Sequence, residues 1–338
     1  MTTIPFPDFF VVGAPRCGTT SLCRYLAQHP QICFSRPKEP HYFQQLDGPV
    51  DAKQVEVEYL ERCFAHRRPE HLRAGEGSVS YLYSPEAIER ILALGPDSRF
   101  IVNLRNPFDM IRSYHLRMLY LLEEDQQDLA TAWSLQQARA RGERIPAHCW
   151  DPRLLQYAEA GSLGTWFELL QRRVGAERCL PVVFDDLVAD PAAVYARVLG
   201  FLGLESDGRT EFPRKQRGQA WRHRWLQEIL FRPPRALARA AGVRLPGEAR
   251  PAKKAKQSGS PSAAQRLLRR GGRLAGPLLK RTRQRLVRWN RIDVSPEPLS
   301  PALRREMQAV FDPEIRKLSE LLGRDLGHWL EPRAQASD

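Results

Sequence analysis

The run Phe9-Phe10-Val11-Val12-Gly13-Ala14-Pro15-Arg16-Cys17-Gly18-Thr19-Thr20-Ser21-Leu22 constrains the fold of this chain more than any other stretch. Its apolar start has the pattern of a strand buried on both faces of a parallel sheet. The strand breaks at Gly13, the chain turns through a loop, and a helix begins at Gly18. A strand, a glycine-bounded loop and a helix N-terminus aim backbone N–H groups and the positive dipole end at one point, which suits a phosphate. Thr19, Thr20 and Ser21 add hydroxyl donors there. The spacing Gly-x-x-x-x-Gly is that of a Walker A loop, yet Thr19 stands where such a loop carries its lysine. Arg16 is the only cation within the loop. The segment is therefore badly equipped for a triphosphate with magnesium, but it can hold a compact anion at the 5′ end of a nucleotide. Read alone, it also fits a plain strand–turn–helix junction.

A second segment bears on that choice. Arg99-Phe100-Ile101-Val102-Asn103-Leu104 reads as another strand, followed directly by Arg105-Asn106-Pro107. Pro107 opens a helix at a favoured first-turn position, and Ser113 falls about two turns into it. An arginine at a strand end and a serine on the next helix can converge on one phosphate, with the guanidinium gripping two oxygens.

Together these segments resemble the nucleotide sites of sulfotransferases that use 3′-phosphoadenosine-5′-phosphosulfate (PAPS). Gly13 to Leu22 is similar to their 5′-phosphosulfate loop, with Cys17 where most relatives have Ser or Gly. Arg105, Asn106, Pro107 and Ser113 resemble the 3′-phosphate site, with Asn106 in place of Asp. The resemblance implies that Arg16, Cys17, Gly18, Thr19, Thr20 and Ser21 hold the phosphosulfate, that Arg105 and Ser113 hold the 3′-phosphate, and that adenosine 3′,5′-bisphosphate (PAP) leaves without a metal. Cys17, at a helix start beside arginine, is expected to have a lowered thiol pKa.

Pro37-Lys38-Glu39-Pro40-His41-Tyr42-Phe43 resembles the Lys-Glu-x-His-Phe-Phe segment of heparan-type and related bacterial carbohydrate sulfotransferases. In that group the glutamate is the base that removes the acceptor's proton, so the resemblance places that role on Glu39. His41 then orients the acceptor, shares the proton, or serves as a structural hydrogen-bond donor. Residues Gly75 to Pro85 resemble a Glu-x-(Ser/Thr)-Pro-x-Tyr segment, with Val79 in place of Pro and Gly77 where the heparan enzymes carry a lysine near the reacting sulfate. Without that lysine, Arg16 carries more of the charge or an arginine enters from elsewhere. Sulfuryl transfer, like phosphoryl transfer, asks a protein mainly to position reactants and stabilise charge. One donor lost from such a site costs ~3 kcal/mol of barrier. A base within hydrogen-bond reach contributes roughly 100- to 10,000-fold.

The remaining pattern alternates strands with helices. Strand-like runs fall near Ile32–Phe34, Leu72–Gly75, Phe100–Leu104 and Cys179–Phe184, and helical ones at Val55–Ala65, Pro85–Leu94, Pro107–Leu122 and Gly164–Val174. The fold class expected is α/β: a three-layer, P-loop-like parallel sheet flanked by helices, with ligands at strand C-terminal ends and a basic helical insertion. Phe184-Asp185-Asp186-Leu187, Asp190-Pro191, Gly200 to Leu204, and Leu299–Leu330 with Trp329 extend the resemblance over roughly residues 5–222 and 295–330. The expected divisions are 1–212 for the sulfotransferase core, 213–291 for the insertion and 292–338 for a C-terminal helix that completes the core.

Residues 213–291 carry 23 Lys and Arg against 2 Asp and Glu, whereas the rest of the chain is net acidic. Trp221, Trp225, Ile229, Phe231, Leu286 and Trp289 are interleaved with those cations. Basic helical segments with an aromatic and leucine face can lie in an anionic membrane surface, and Arg250–Pro261 reads as a linker between two of them. A groove for an acidic glycan and a solvated excursion over the nucleotide are the competing readings. Nucleic-acid binding has the charge but no accompanying recognition fold. Gln216-Arg217-Gly218 falls where relatives close a loop over adenine. Six cysteines without metal-ligand spacing, no secretory signal and no membrane-length apolar run predict a cytoplasmic enzyme, peripheral to the inner face of the membrane if the basic stretch docks there. The expected acceptor is a carbohydrate, glycolipid or small metabolite. A kinase-like phosphotransferase needing magnesium, and an inactive basic membrane or nucleic-acid adaptor, remain as alternatives.

Overall fold

Five parallel strands order themselves β2-β3-β1-β4-β5 in one sheet of a computed structural model that describes residues 5–213, 218–233 and 281–331. They are β1 (Phe9–Gly13), β2 (Ile32–Phe34), β3 (Arg73–Glu76), β4 (Arg99–Leu104) and β5 (Cys179–Val183). All five residues of β1 are buried, as the uninterrupted apolar run requires of a central strand covered on both faces. Its register against β4 runs from Phe9 opposite Arg99 to Gly13 opposite Asn103, so the loops after these two strands start side by side. The chain moves outward from β1 to β2, returns to β3, then crosses to β4 and β5. The order of strands therefore reverses at β1, and the crevice beyond its C-terminal end is where such sheets bind ligands.

Alternate side chains of β1 feed two cores. Phe9 and Val11 join Leu22 and Leu26 of the helix Thr19–Leu26, Ile101, Val182, and Val198 and Leu199 of the helix Pro191–Leu202. Phe10 points to the opposite side and meets Phe43, Tyr81 and Phe100, with ring centroids 6.4, 6.3 and 5.7 Å away. Each such ring contributes about 1.5–3 kcal/mol by leaving water. The expected three-layer α/β core is thus present.

Local chemistry starts the flanking helices. Ser84, Asp190 and Ser300 accept from backbone N–H groups at the starts of Pro85–Leu94, Pro191–Leu202 and Pro301–Leu322. Each cap is followed by proline, whose missing N–H costs nothing in the first turn. Two sequence expectations are modified. The helix predicted over Val55–Ala65 is a composite of Ala52–Val55, a π-helical turn Glu56–Leu60 and Glu61–Cys63. Phe184, predicted to end a strand, starts the helix Phe184–Ala189, where Asp185 and Asp186 complement the dipole of its first turn.

The chain divides into two compact units. The sheet lies in the unit made of Met1–Tyr114, Tyr157–Lys215 and Pro298–Asp338. The other comprises His115–Gln156 and Gln216–Glu297, so residues 115–156 group with the basic stretch, whereas the sequence-based division assigns them to the core. Within this second unit, the described part of the basic stretch is helical at Arg224–Phe231 and at 281–290. It also contains an antiparallel ladder of β6 (Gly218–Trp221) and β7 (Arg291–Val294). Arg139 and Glu124, both fully buried there, form a bidentate ion pair with bonds of 2.7 and 2.6 Å. The linker expected at Arg250–Pro261, and Gln216 and Arg217 of the expected adenine loop, lie outside the described residues. No described helix is long and apolar enough to cross a membrane.

Candidate active site

The loop after β1 enters the helix Thr19–Leu26 through Gly18, whose φ of +85° is left-handed. A side chain there is barred twice, by that backbone and by crowding: a Cβ would lie 2.8 Å from Leu187 and 3.1 Å from Phe184. In the first turn Ser21 N donates to the Gly18 carbonyl at 3.0 Å, while the N–H groups ahead of it lack the carbonyl four residues earlier that a helix interior supplies. Arg16 is also left-handed, at φ +68°, a conformation that costs a non-glycine residue about 1 kcal/mol or more. Its Nε donates to Ser113 Oγ at 2.8 Å. Arg105 Nη1 donates to the Arg16 carbonyl at 3.0 Å, and its guanidinium lies 4.4 Å from the Phe184 ring centroid. Arg16, Arg105 and Ser113, predicted from separate motifs, thus form one connected group. Thr19 and Ser21 are buried and Thr20 is half-buried along the first turn.

Cys17 departs from its expectation. It is fully buried, its thiol lies 3.6 Å from the Pro15 carbonyl, and burial pushes its pKa up to about 12 despite the neighbouring Arg105 and Arg16. Desolvation of a thiolate outweighs the two cations.

The second group is built where β2 and β3 end. Lys38's carbonyl accepts from Ser35 Oγ at 3.1 Å and from Gly77 N at 3.2 Å, pinning the Lys38–His41 turn against the end of β3. His41, left-handed at φ +50°, donates its backbone N–H to Ser78 Oγ at 3.0 Å. Its Nδ1 lies 2.7 Å from Ser80 Oγ and its Nε2 3.7 Å from Glu39 Oε2. The Lys38 ammonium contacts Glu39 Oε1. Burial alone would raise the Glu39 carboxyl, but the neighbouring His41 imidazole and the Lys38 charge prevail and hold its pKa at about 2. The group is therefore a carboxylate at neutral pH, with an imidazole aligned behind it.

Gly77 has a further consequence. A Cβ at this position would lie 2.6 Å from Cys23 Sγ and 3.3 Å from Lys38 Cε, so the lysine stem runs through space that glycine leaves open. Cys23 is one turn beyond Thr19 on the phosphate-loop helix. The carboxylate group and the arginine group accordingly flank the first two turns of a single helix.

Several further residues position these groups. Asn103, fully buried in β4, donates from Nδ2 to the Cys17 carbonyl at 3.2 Å and ties the loop to the sheet. An asparagine inside an apolar strand was the available signal. Asn106 Oδ1 accepts from Phe108 N at 3.0 Å while its Nδ2 donates to the Trp329 carbonyl at 3.1 Å. Aspartate could make the first bond but not the second. Trp329 in turn donates Nε1 to Asp185 at 2.8 Å. Glu76, at the end of β3, is fully buried, and Tyr59 donates its hydroxyl to it. Burial outweighs its hydrogen bonds from Ser78, Tyr59 and Tyr81 and lifts its pKa to about 7. Among the described residues, no group of three or more His, Cys, Asp and Glu is arranged to hold a metal.

Residues 7–208 match the model of the Sulfotransferase family. Carbohydrate sulfotransferase 15 of Homo sapiens is 30% identical over 151 residues, which cover 32% of this chain and 27% of that protein. Heparan sulfate glucosamine 3-O-sulfotransferase 6 of Homo sapiens is 29% identical over 211 residues, covering 59% of this chain and 53% of that protein. The chain thus spans between about a quarter and a half of the length of these curated relatives. Among solved structures, a sulfotransferase from Alicyclobacillus acidocaldarius shares the fold at a TM-score of 0.60 and 22% identity, covering 96% of this chain and 99% of that one.

Proposed function

This chain belongs to the Sulfotransferase family, and from that premise we propose that it moves the sulfuryl group of PAPS to a hydroxyl or amine of a carbohydrate, with Glu39 as the base. One observation carries the reading: an arginine–serine group and an ionised carboxylate backed by a histidine flank the same helix start. The residues fit the donor. Gly18 opens a cradle no side chain could share, and the hydroxyls of Thr19 and Thr20 stand in the first turn beside it. Arg105 and Ser113 are connected through Arg16, so one rigid group serves the two phosphate ends. When bound, PAPS supplies an activated sulfuryl group whose bridging oxygen takes on negative charge as it departs.

The chain's own residues do the rest. Arg16 and the loop amides balance the charge developing on the 5′-phosphate. Glu39 accepts the acceptor's proton as the new S–O or S–N bond forms. His41, held through Nδ1 by Ser80, faces Glu39 and keeps its carboxylate oriented. Lys38 neutralises Glu39 before the reactants arrive. The carbohydrate assignment is supported by the likeness to the two carbohydrate-directed relatives.

Incubation with sulfur-35 PAPS and desulfated heparan or chondroitin chains tests the proposal. Label in the polysaccharide is expected, with Glu39→Gln slower by roughly 100- to 10,000-fold while PAP still binds. Label confined to small phenols, or a Glu39→Gln rate equal to wild type, would overturn the acceptor or the base.

A further inference from the structure

Seven large apolar side chains stand exposed among the described residues, and four of them come from two short helical stretches of the second unit. Trp225 is 61% exposed and Ile229 49%, one turn apart on Arg224–Phe231; Leu286 is 39% exposed and Trp289 57%, one turn apart on the helix at 281–290. The His223 ring joins the two pairs. It stacks on Trp289 at 5.5 Å and lies 6.3 Å from Trp225. The exposed residues therefore form one continuous patch.

The opposite side of this platform is fixed by buried polar bonds. His223 N donates to Asn290 Oδ1 at 2.9 Å, and Asn290 Nδ2 donates to Gln227 Oε1 at 3.2 Å. Gln227 Nε2 donates to the Tyr120 carbonyl at 2.8 Å. Leu226 and Leu230 are buried beside them. The tryptophans thus face outward because the other face of their helices is already committed, and repacking them inward would break that network.

Charge identifies the partner. Residues 218–233 and 281–291 hold eight arginines and one acid, Glu228, which is itself paired with Arg224 at 3.0 Å. Arg222, Arg285 and Arg288 are exposed around the patch. Tryptophan rings suit the boundary between headgroups and acyl chains, and guanidinium groups suit lipid phosphates. An acidic polysaccharide would also attract arginine and stack on tryptophan. It gains little from exposed isoleucine and leucine, whereas a bilayer buries both. We infer that Trp225, Ile229, Leu286 and Trp289, ringed by arginines, form a docking surface for an anionic lipid bilayer. The surface is independent of the sulfotransferase reading and brings the enzyme to membranes.

Co-sedimentation of the full chain with phosphatidylcholine vesicles, with and without phosphatidylglycerol, tests this. Binding is expected only with the anionic lipid and is expected to weaken with salt. The double variant Trp225→Ser/Trp289→Ser should bind roughly tenfold more weakly, with unchanged PAP affinity and melting temperature. Leu72→Ser, at an exposed residue of the other unit, should bind like wild type. Equal sedimentation of the double variant and wild type overturns the proposal. So does tryptophan-dependent retention on heparin without vesicle binding, because that outcome assigns the patch to a glycan.

Discussion

Replacing Lys38 with methionine is the sharpest probe of how the carboxylate is set. The Glu39 pKa of about 2, against an ordinary 4.5, results from burial pushing up while His41 and the Lys38 ammonium pull down. Methionine keeps the stem that runs past Gly77 and removes the charge. An adjacent opposite charge lowers a carboxyl by about 1–3 units. Because Glu39 is about one-third exposed, solvent screening favours the lower part of that range. Without Lys38, burial is opposed by His41 alone, so the carboxyl should return to about 3–4. The assay is kcat/KM against pH, which reports ionisations of the free enzyme. Wild type should show no acid limb down to the pH at which it begins to unfold. Lys38→Met should show one between about pH 3 and 4, and Lys38→Arg should abolish it. Superimposable profiles for wild type and Lys38→Met would refute the claim that the ion pair sets the base.

Glu76 gives the opposite sign. Its folded pKa of about 7 lies above the unfolded 4.5, so its contribution to stability is present below the lower value and lost as pH rises through the upper one. Denaturant unfolding of wild type should lose at most about 3 kcal/mol from this group between pH 5 and 8, and Glu76→Gln should lack that slope. Arg105→Met removes the cation stacked on Phe184 and should weaken PAP binding by roughly ten- to a hundredfold, measured by calorimetry. Cys17, buried with its pKa near 12, should resist iodoacetamide in the native protein with or without PAP, while half-buried Cys149 reacts first; rapid labelling of Cys17 would contradict its placement.

Where neighbouring residues determine structure, the sequence was readable. The apolar run before Gly13 and the glycine spacing marked β1 and its loop, and Ser84-Pro85 and Asp190-Pro191 marked helix starts. Arg16, Arg105 and Ser113, expected from separate motifs, are joined by hydrogen bonds because β1 and β4 pair and the loops after them start side by side. Effects of distant packing were hidden. Flanking arginines gave the wrong direction for the Cys17 pKa because nothing local reports complete burial. Asn106 reads as an imperfect aspartate until Trp329, more than 200 residues later, arrives to accept its amide N–H. Phe184 became a support for Arg105 only through the pairing of β4 with β5. The grouping of residues 115–156 with the basic stretch depends on contacts such as Gln227 with Tyr120, which leave no periodic trace.

Titration calorimetry with PAP in the presence of EDTA goes directly to the claim that one crevice grips both phosphate ends of the nucleotide. One PAP should bind per chain, with an affinity indifferent to added magnesium and weakened roughly ten- to a hundredfold in Arg105→Met. Heat released only by ATP with magnesium, and none by PAP, would contradict it.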